Sequence, residues 1–313
     1  MSDDGGVEFL ADWHMDVLSC SLEQGHDLAL EGHLGHADVP RLRKAGFGLS
    51  GWSLYWPPGG KLGPADSIRA QLALAHSLEK SGAIRIVRGK KDLEGMGSGP
   101  LKVLLHLEGC KPLEAGQIDW DWAFGEGVRS LSLTWNERNE FASGTGKDVS
   151  QAGGLTARGR ELVKWCRSKG VMVDIAHLAD GGVDDLLEFD CGMLIATHAN
   201  CRHLAPWVRN LRDEVIKELH RRGGTIGVVL VPDFMTSKPS CHVDDMKKHL
   251  ARLVELGGPE LPSSGSDLDG TSLPAPLKDV LDYGPVLREW AREFGEGLLS
   301  ANMVRVLKNV LPT

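Results

Sequence analysis

The sequence predicts an α/β protein of the (β/α)8 TIM-type barrel class, formed by a single domain over residues 1–313. Three observations lead there. Short apolar runs alternate with helix-patterned segments, the arrangement of a parallel sheet covered on both faces. Eight such runs fit into 313 residues, the ordinary size of such a barrel. Several of the runs also end at a histidine or a carboxylate, and in a barrel all those ends open on one face. A doubly wound open sheet fits less well, because no G-x-G-x-x-G turn follows any strand.

The first strand spans 7–13 and leads into Asp12-Trp13-His14-Met15-Asp16. Side chains two apart on an extended chain point the same way, so His14 and Asp16 leave the tip together. Residues 17–35 read as a polar loop, followed by an amphipathic stretch at 41–45. A second strand, 47–56, is closed by Pro57 and Pro58. A helix over 66–81 follows from the spacing of Ile68, Leu72, Ala75 and Leu78, with Asp66 or Ser67 as cap and Gly82 as stop. The strand 101–107 ends at Glu108, and the strand 128–135 ends at Trp135 and runs into Asn136.

After a polar loop, 136–154, a helix spans 156–169 and stops at Gly170. Strands at 171–176 and 193–197 end at His177 and His198, with a short helix near 180–189 between them. A helix over 213–222 is stopped by two glycines, and a strand over 225–231 is closed by Pro232. A helix at 243–256 precedes the eighth strand, 261–266, the poorest of the set, which ends at Asp267. Helices near 284–294 and 296–310 finish the chain.

Composition narrows the function. With 42% hydrophobic and 25% charged residues the chain has an ordinary globular core, and its net charge of −8 without a basic block argues against nucleic acid and anionic membrane. No run approaches membrane-spanning length, and neither end carries a signal-peptide or lipid-anchor pattern. Six scattered cysteines without a C-x-x-C pair point to a reducing cytoplasm.

The strand ends offer His14, Asp16, Glu108, His177, His198 and Asp267. Each alone is more often a surface or packing residue; together on one face they supply donors for two metal ions. Two divalent ions about 4 Å apart can share a hydroxide and polarise a carbonyl or phosphoryl oxygen, so no Ser or Cys nucleophile is needed.

Residues 12–16 (DWHMD), 36–57 (HADVPRLRKAGFGLSGWSLYWP), 106–110 (HLEGC) and 132–136 (SLTWN) resemble segments of the membrane dipeptidase (renal dipeptidase) family of binuclear zinc peptidases. The likeness continues through 154–178, 196–219 (ATHANCRHLAPWVRNLRDEVIKEL), 223–229, 265–270 (GSDLDG) and 298–307, in order over nearly the whole chain. It implies a metallo-dependent hydrolase-like barrel with two zinc ions. His14 and Asp16 would hold one, His177 and His198 the other, and Glu108 would bridge them. Asp267 would take a proton and pass it to the leaving amine. Arg209 would pair with the free carboxylate of a dipeptide, a role that suits a planar guanidinium. Trp135 and Asn136 would face the substrate, and the protein would form homodimers.

Three departures accompany the resemblance. Trp135 stands where the best-known members carry a substrate-binding His, the run before GSDLDG is LPSS instead of an apolar strand, and nothing points to the secretion, anchoring or disulfides of animal members. The expected activity is a cytoplasmic zinc-dependent dipeptidase acting on short peptides. Its rivals are a deacylase or lactonase on the same centre, and a metal-binding relative without turnover.

Overall fold

Apolar strands and amphipathic helices alternate along the chain and build an α/β fold. The computed structural model describes residues 8–313; Val7, the expected start of the first strand, and the acidic residues before it lie outside that part. The strands are β1 (Leu10–Met15), β2 (Phe47–Tyr55), β3 (Ile84–Ile86), β4 (Leu101–Glu108), β5 (Val128–Ser132), β6 (Met172–Asp174), β7 (Leu194–Ile195), β8 (Ile226–Val228) and β9 (Pro262–Ser264). Between them run α1 (Val17–Gln24), α2 (Val39–Ala45), α3 (Pro64–Lys80), α4 (Trp120–Gly125), α5 (Ala157–Lys169), α6 (Asp180–Glu188), α7 (Asp213–Arg221), α8 (Pro232–Met235) and α9 (Met246–Gly257). Helices α10 (Val280–Phe294) and α11 (Ala301–Val310) close the chain.

All eight expected strands overlap an observed one, and four further elements appear, β3, α1, α4 and α8. β3 is only three residues long, too short for a period to show. α1 occupies part of the expected loop at 17–35: it buries Val17, Leu18 and Cys20 and ends at Gly25 in the left-handed conformation.

The expected closed eight-stranded barrel is not what the strands form. The main sheet is a curled, open half-barrel of six parallel strands in the order β1-β2-β4-β5-β6-β7, with β3 paired to β4, while β8 and β9 make a separate two-stranded sheet. Among the described residues the two are linked as strands by single bridges, Ala196 to Ile226 and Met15 to Leu268, and not by a continuous ladder. The chain explains both seams. β7 has two residues, too few to carry a ladder on each edge. β9 begins at Pro262, which has no N–H to donate, and continues with two serines. Two backbone bonds, Asp267 N to His14 O at 3.0 Å and Asp16 N to Leu268 O at 2.8 Å, join β1 to this region, and side chains add to them: the buried Asp12 carboxylate accepts from His14 N at 2.9 Å, from Ser266 N at 3.0 Å and from the Ser264 hydroxyl. Ser264 is also 2.8 Å from the Tyr283 hydroxyl on α10.

The sheet is layered in a way that positions the site. On β4, Leu105 and Leu107 belong to the apolar layer shared with the helices. Leu104, on the opposite face, packs with Trp13, Leu49, Met172 and Ile195 against Met303, Val306 and Leu307 of α11. This inner cluster plugs the amino ends of the strands. His106 and Glu108 follow Leu104 on the same face, so polarity rises along the strand towards its carboxyl end.

Replacing Asp12 by Ala leaves two buried N–H groups and a hydroxyl without their acceptor. The expected loss of unfolding free energy is about 2–4 kcal/mol, read by urea denaturation of the metal-depleted protein; a loss under about 0.5 kcal/mol would show that the carboxylate is not what joins the seam.

Candidate metal centre

Six side chains meet at the carboxyl ends of the strands, and local structure sets each one. His14 is fully buried near the end of β1. Asp16 stands at the start of α1, where its carboxylate caps no helix N–H and is held instead by the Ser53 hydroxyl of β2. Glu108 is the last residue of β4. His177 and Asp267 both adopt left-handed backbone, with φ of 64° and 62°. Such conformations are costly for non-glycine residues and tend to gather at functional sites. His198 follows Thr197 just past β7.

Glu108 is the hub. Its Oε1 lies 3.1 Å from His177 Nε2 and 3.5 Å from His198 Nε2, and its Oε2 lies 3.5 Å from His14 Nε2. The Nε2 atoms of His177 and His198 are 3.0 Å apart. His14 Nε2 is also 3.9 Å from Asp16 Oδ1 and 4.0 Å from Asp267 Oδ1. Two groups have the spacing of a metal site, His14–Glu108–His198 and His14–Asp16–Asp267. His177 adjoins the first through Glu108, and Asp267 shares the second with two expected ligands.

Charge makes this arrangement costly without cations. Burial, then the neighbouring Glu108, pushes Asp16 up to about 7. Burial and Asp16 push Asp267 well above the carboxylate range. Burial also raises Glu108, but His14 and His177 outweigh it and hold the group low. Burial depresses His14, yet Glu108, Asp16 and Asp267 overcome that and lift it to about 10. Burial, then Arg209, lowers His177 to about 4. The residues fit two zinc-type ions. Imidazole nitrogens and carboxylate oxygens are the donors such ions take, and His14 Nε2 is buried with no hydrogen-bond partner among the described residues.

The residues expected to meet substrate lie around this cluster. Arg209 is buried, with Nη2 donating to the His198 carbonyl at 3.0 Å and Nε unpartnered among the described residues. Trp135 lies beyond the end of β5, its ring 6.0 Å from that of His177 and 5.3 Å from that of Tyr55. Asn136 presents Oδ1 to His177 Nδ1 at 3.1 Å, so it also orients a histidine. Sequence reasoning missed the supports Asp12, Ser53, Asp174 and Thr197. The signal available was position, since Asp12 and Thr197 immediately precede or flank chemistry-bearing residues.

A buried double cluster of imidazoles and carboxylates on an α/β scaffold defines a binuclear zinc hydrolase of the dipeptidase and amidohydrolase kind. The chain belongs to the membrane dipeptidase family, peptidase family M19, whose model matches residues 8–312. It is 30% identical over 264 residues to an uncharacterised protein in the pqqA 5′ region of Klebsiella pneumoniae, covering 79% of this chain and 97% of that one. A solved M19 metallopeptidase, dipeptidase AC, superposes with a TM-score of 0.88 at 24% identity, covering 97% of this chain and 99% of that one. A metallopeptidase of Rhodobacter sphaeroides, liganded with a phosphinate mimic of L-Ala-D-Ala, superposes at 0.87 with 23% identity, covering 96% and 99%. At these identities the two superpositions speak for the fold. Among the described residues no helix is long and apolar enough to cross a membrane.

The purified protein is expected to hold about two zinc ions per chain. Glu108→Gln should weaken both, whereas His177→Ala should mainly empty one. Metal analysis by mass spectrometry checks this; retention of both ions by Glu108→Gln would remove Glu108 from the bridging position.

Proposed function

We propose that the protein is a cytoplasmic, single-domain dipeptidase that recognises the free carboxylate of its substrate through Arg209. The observation that carries this reading is the Arg209 guanidinium, buried beside His198 without a carboxylate partner among the described residues. Asp174, Glu108 and Asp267 act on this charge only from beyond contact, and a substrate carboxylate paired with it directly would offset more of the cost of its burial. The phosphinate dipeptide mimic bound by the Rhodobacter relative supports a substrate of that size.

His14 and Asp16 would hold one ion, His177 and His198 the other, and Glu108 would lie between them. Bound divalent ions supply a water ionised near neutrality and Lewis acidity at the scissile carbonyl. Asp267 would take the proton of the attacking water and return it to the leaving amine. Asn136, whose Oδ1 faces His177, keeps its amide N–H groups for the substrate. The bulk of Trp135 would narrow the pocket towards small side chains, a preference that a dipeptide panel reads directly. Free thiols at all six cysteines agree with a reducing compartment. We extend the reading to a homodimer, which the mass in light scattering decides.

Arg209→Met should raise KM for dipeptides by at least about thirtyfold while changing little for substrates that lack a carboxylate. Equal effects on both would favour a deacylase or lactonase. No turnover of any substrate by zinc-loaded protein would favour the metal-binding relative.

Asp267→Asn keeps the shape of the side chain and cannot accept a proton. The expected fall in kcat is roughly two to four orders of magnitude with zinc content largely kept. If zinc falls in step with kcat, Asp267 acts as a ligand, in line with its place beside His14 and Asp16.

A further inference from the structure

We propose that Thr197 is a positioning residue whose single hydroxyl fixes the orientation and tautomer of a histidine in each half of the metal centre. This rests on the binuclear reading above and adds to it a shared support. Thr197 is fully buried and touches no expected substrate group. Its Oγ1 lies 2.6 Å from Asp174 Oδ2, 2.8 Å from His198 Nδ1 and 3.4 Å from His14 Nδ1. The rings of His14 and His198 lie nearly face to face, 3.8 Å apart and tilted by 36°. That places the two Nδ1 atoms against one hydroxyl and turns both Nε2 atoms towards Glu108.

A count of protons gives the direction of these bonds. The hydroxyl has one hydrogen to donate and two lone pairs. Given to Asp174 Oδ2, its shortest contact, the hydrogen leaves both lone pairs to accept from His198 Nδ1–H and His14 Nδ1–H. Each imidazole then carries its proton on Nδ1 and presents a bare Nε2, the form that binds a metal. The opposite direction would spend the hydroxyl hydrogen on one ring and put a proton on that ring's Nε2, where it would oppose a cation.

The surroundings hold this hydroxyl in place. Asp174 Oδ1 accepts from Ala176 N and Thr197 N, both at 2.9 Å, so the carboxylate ties the end of β6 to the end of β7. His106 Nδ1 is 3.0 Å from Ser130 Oγ, and its Nε2 lies 3.4 Å from Asp174 Oδ2. On the backbone side, a Cβ at Gly227 or at Gly265 would collide with the Thr197 carbonyl oxygen, so two glycines from the small sheet close on this residue. His177 has a separate support, Asn136, and needs no share of the hydroxyl.

The test is zinc titration of metal-depleted protein against a competing chelator, with cobalt substitution to record the visible ligand-field bands. Thr197→Val removes the hydroxyl and keeps the shape; the expected result is a loss of roughly tenfold to a hundredfold in affinity at both sites, with altered cobalt bands. Thr197→Ser keeps the hydroxyl and should restore both affinities to within a few-fold of wild type. The cobalt bands separate this from general damage, since a merely structural role would leave the spectrum of the fully loaded Thr197→Val protein like that of wild type. Wild-type affinity in Thr197→Val, loss at one site alone, or failure of Thr197→Ser to restore binding would each overturn the proposal. Should Thr197→Val not fold, Asp174→Asn carries the test. Its amide N–H would occupy one lone pair of the hydroxyl, so zinc binding at one site at least should weaken tenfold or more, and unchanged binding overturns the proposal. A wild-type protein that binds no zinc would remove the binuclear reading itself, whereas two tightly bound ions in both wild type and Thr197→Val would remove only this inference.

Discussion

The mutual repulsion of three carboxylates buried at one point is the constraint on which the rest of the structure depends. Asp16, Glu108 and Asp267 sit within reach of a single imidazole nitrogen, each largely withdrawn from bulk water. Removing such groups from water costs several kcal/mol each unless opposite charge is close. Glu108 has three histidines around it, and Arg209 contributes a buried positive charge. Asp16 and Asp267 have less, and burial together with their neighbours favours their protonated forms. An assembly of this kind is retained for the cations it can gather, since as a purely structural feature it would favour unfolding.

Around that point the fold is a holder. Left-handed backbone at His177 and Asp267 turns these side chains in at the strand ends. The inner apolar cluster against α11 fills the opposite end of the sheet, so the polar groups lie over packed side chains and not over a water-filled channel. The hydroxyls of Ser53 and Thr197, the amide of Asn136 and the carboxylates of Asp12 and Asp174 hold the chemistry-bearing groups or the backbone beside them.

Much of this was legible in the sequence, and for identifiable reasons. Glu108, His177 and His198 follow apolar runs, so a reader who places the strands also places these residues on one rim. The helix over 64–80 announces itself through four apolar residues at helical spacing. Other parts carried no such mark. The helix at Val17–Gln24 is short and mixes Ser, Cys and Glu with its apolar residues, so its pattern resembles a loop. Whether eight strands close into a barrel depends on register and on which edges pair, and neither is a property of one strand. The run at 261–266 stood out as the poorest strand, but the effect of Pro262 on closure shows only in three dimensions. Asp174 and Thr197 are small polar residues inside apolar runs, and their roles depend on partners across the sheet.

The seam between the half-barrel and the small sheet has a consequence for breathing motions. Regular ladders resist opening along their length, whereas a single bridge with side-chain ties can part locally at lower cost. His14, Asp16 and Asp267 lie on both sides of that seam, the first two by β1 and the third beyond β9. A cation held by His14 and Asp16 would attract the Asp267 carboxylate across the seam and so favour the shut form over the parted one. By mass action each tenfold rise in free ion above its dissociation constant would then add about 1.4 kcal/mol to the cost of opening. The supply of metal in the surrounding solution would thus regulate how often this edge of the molecule parts.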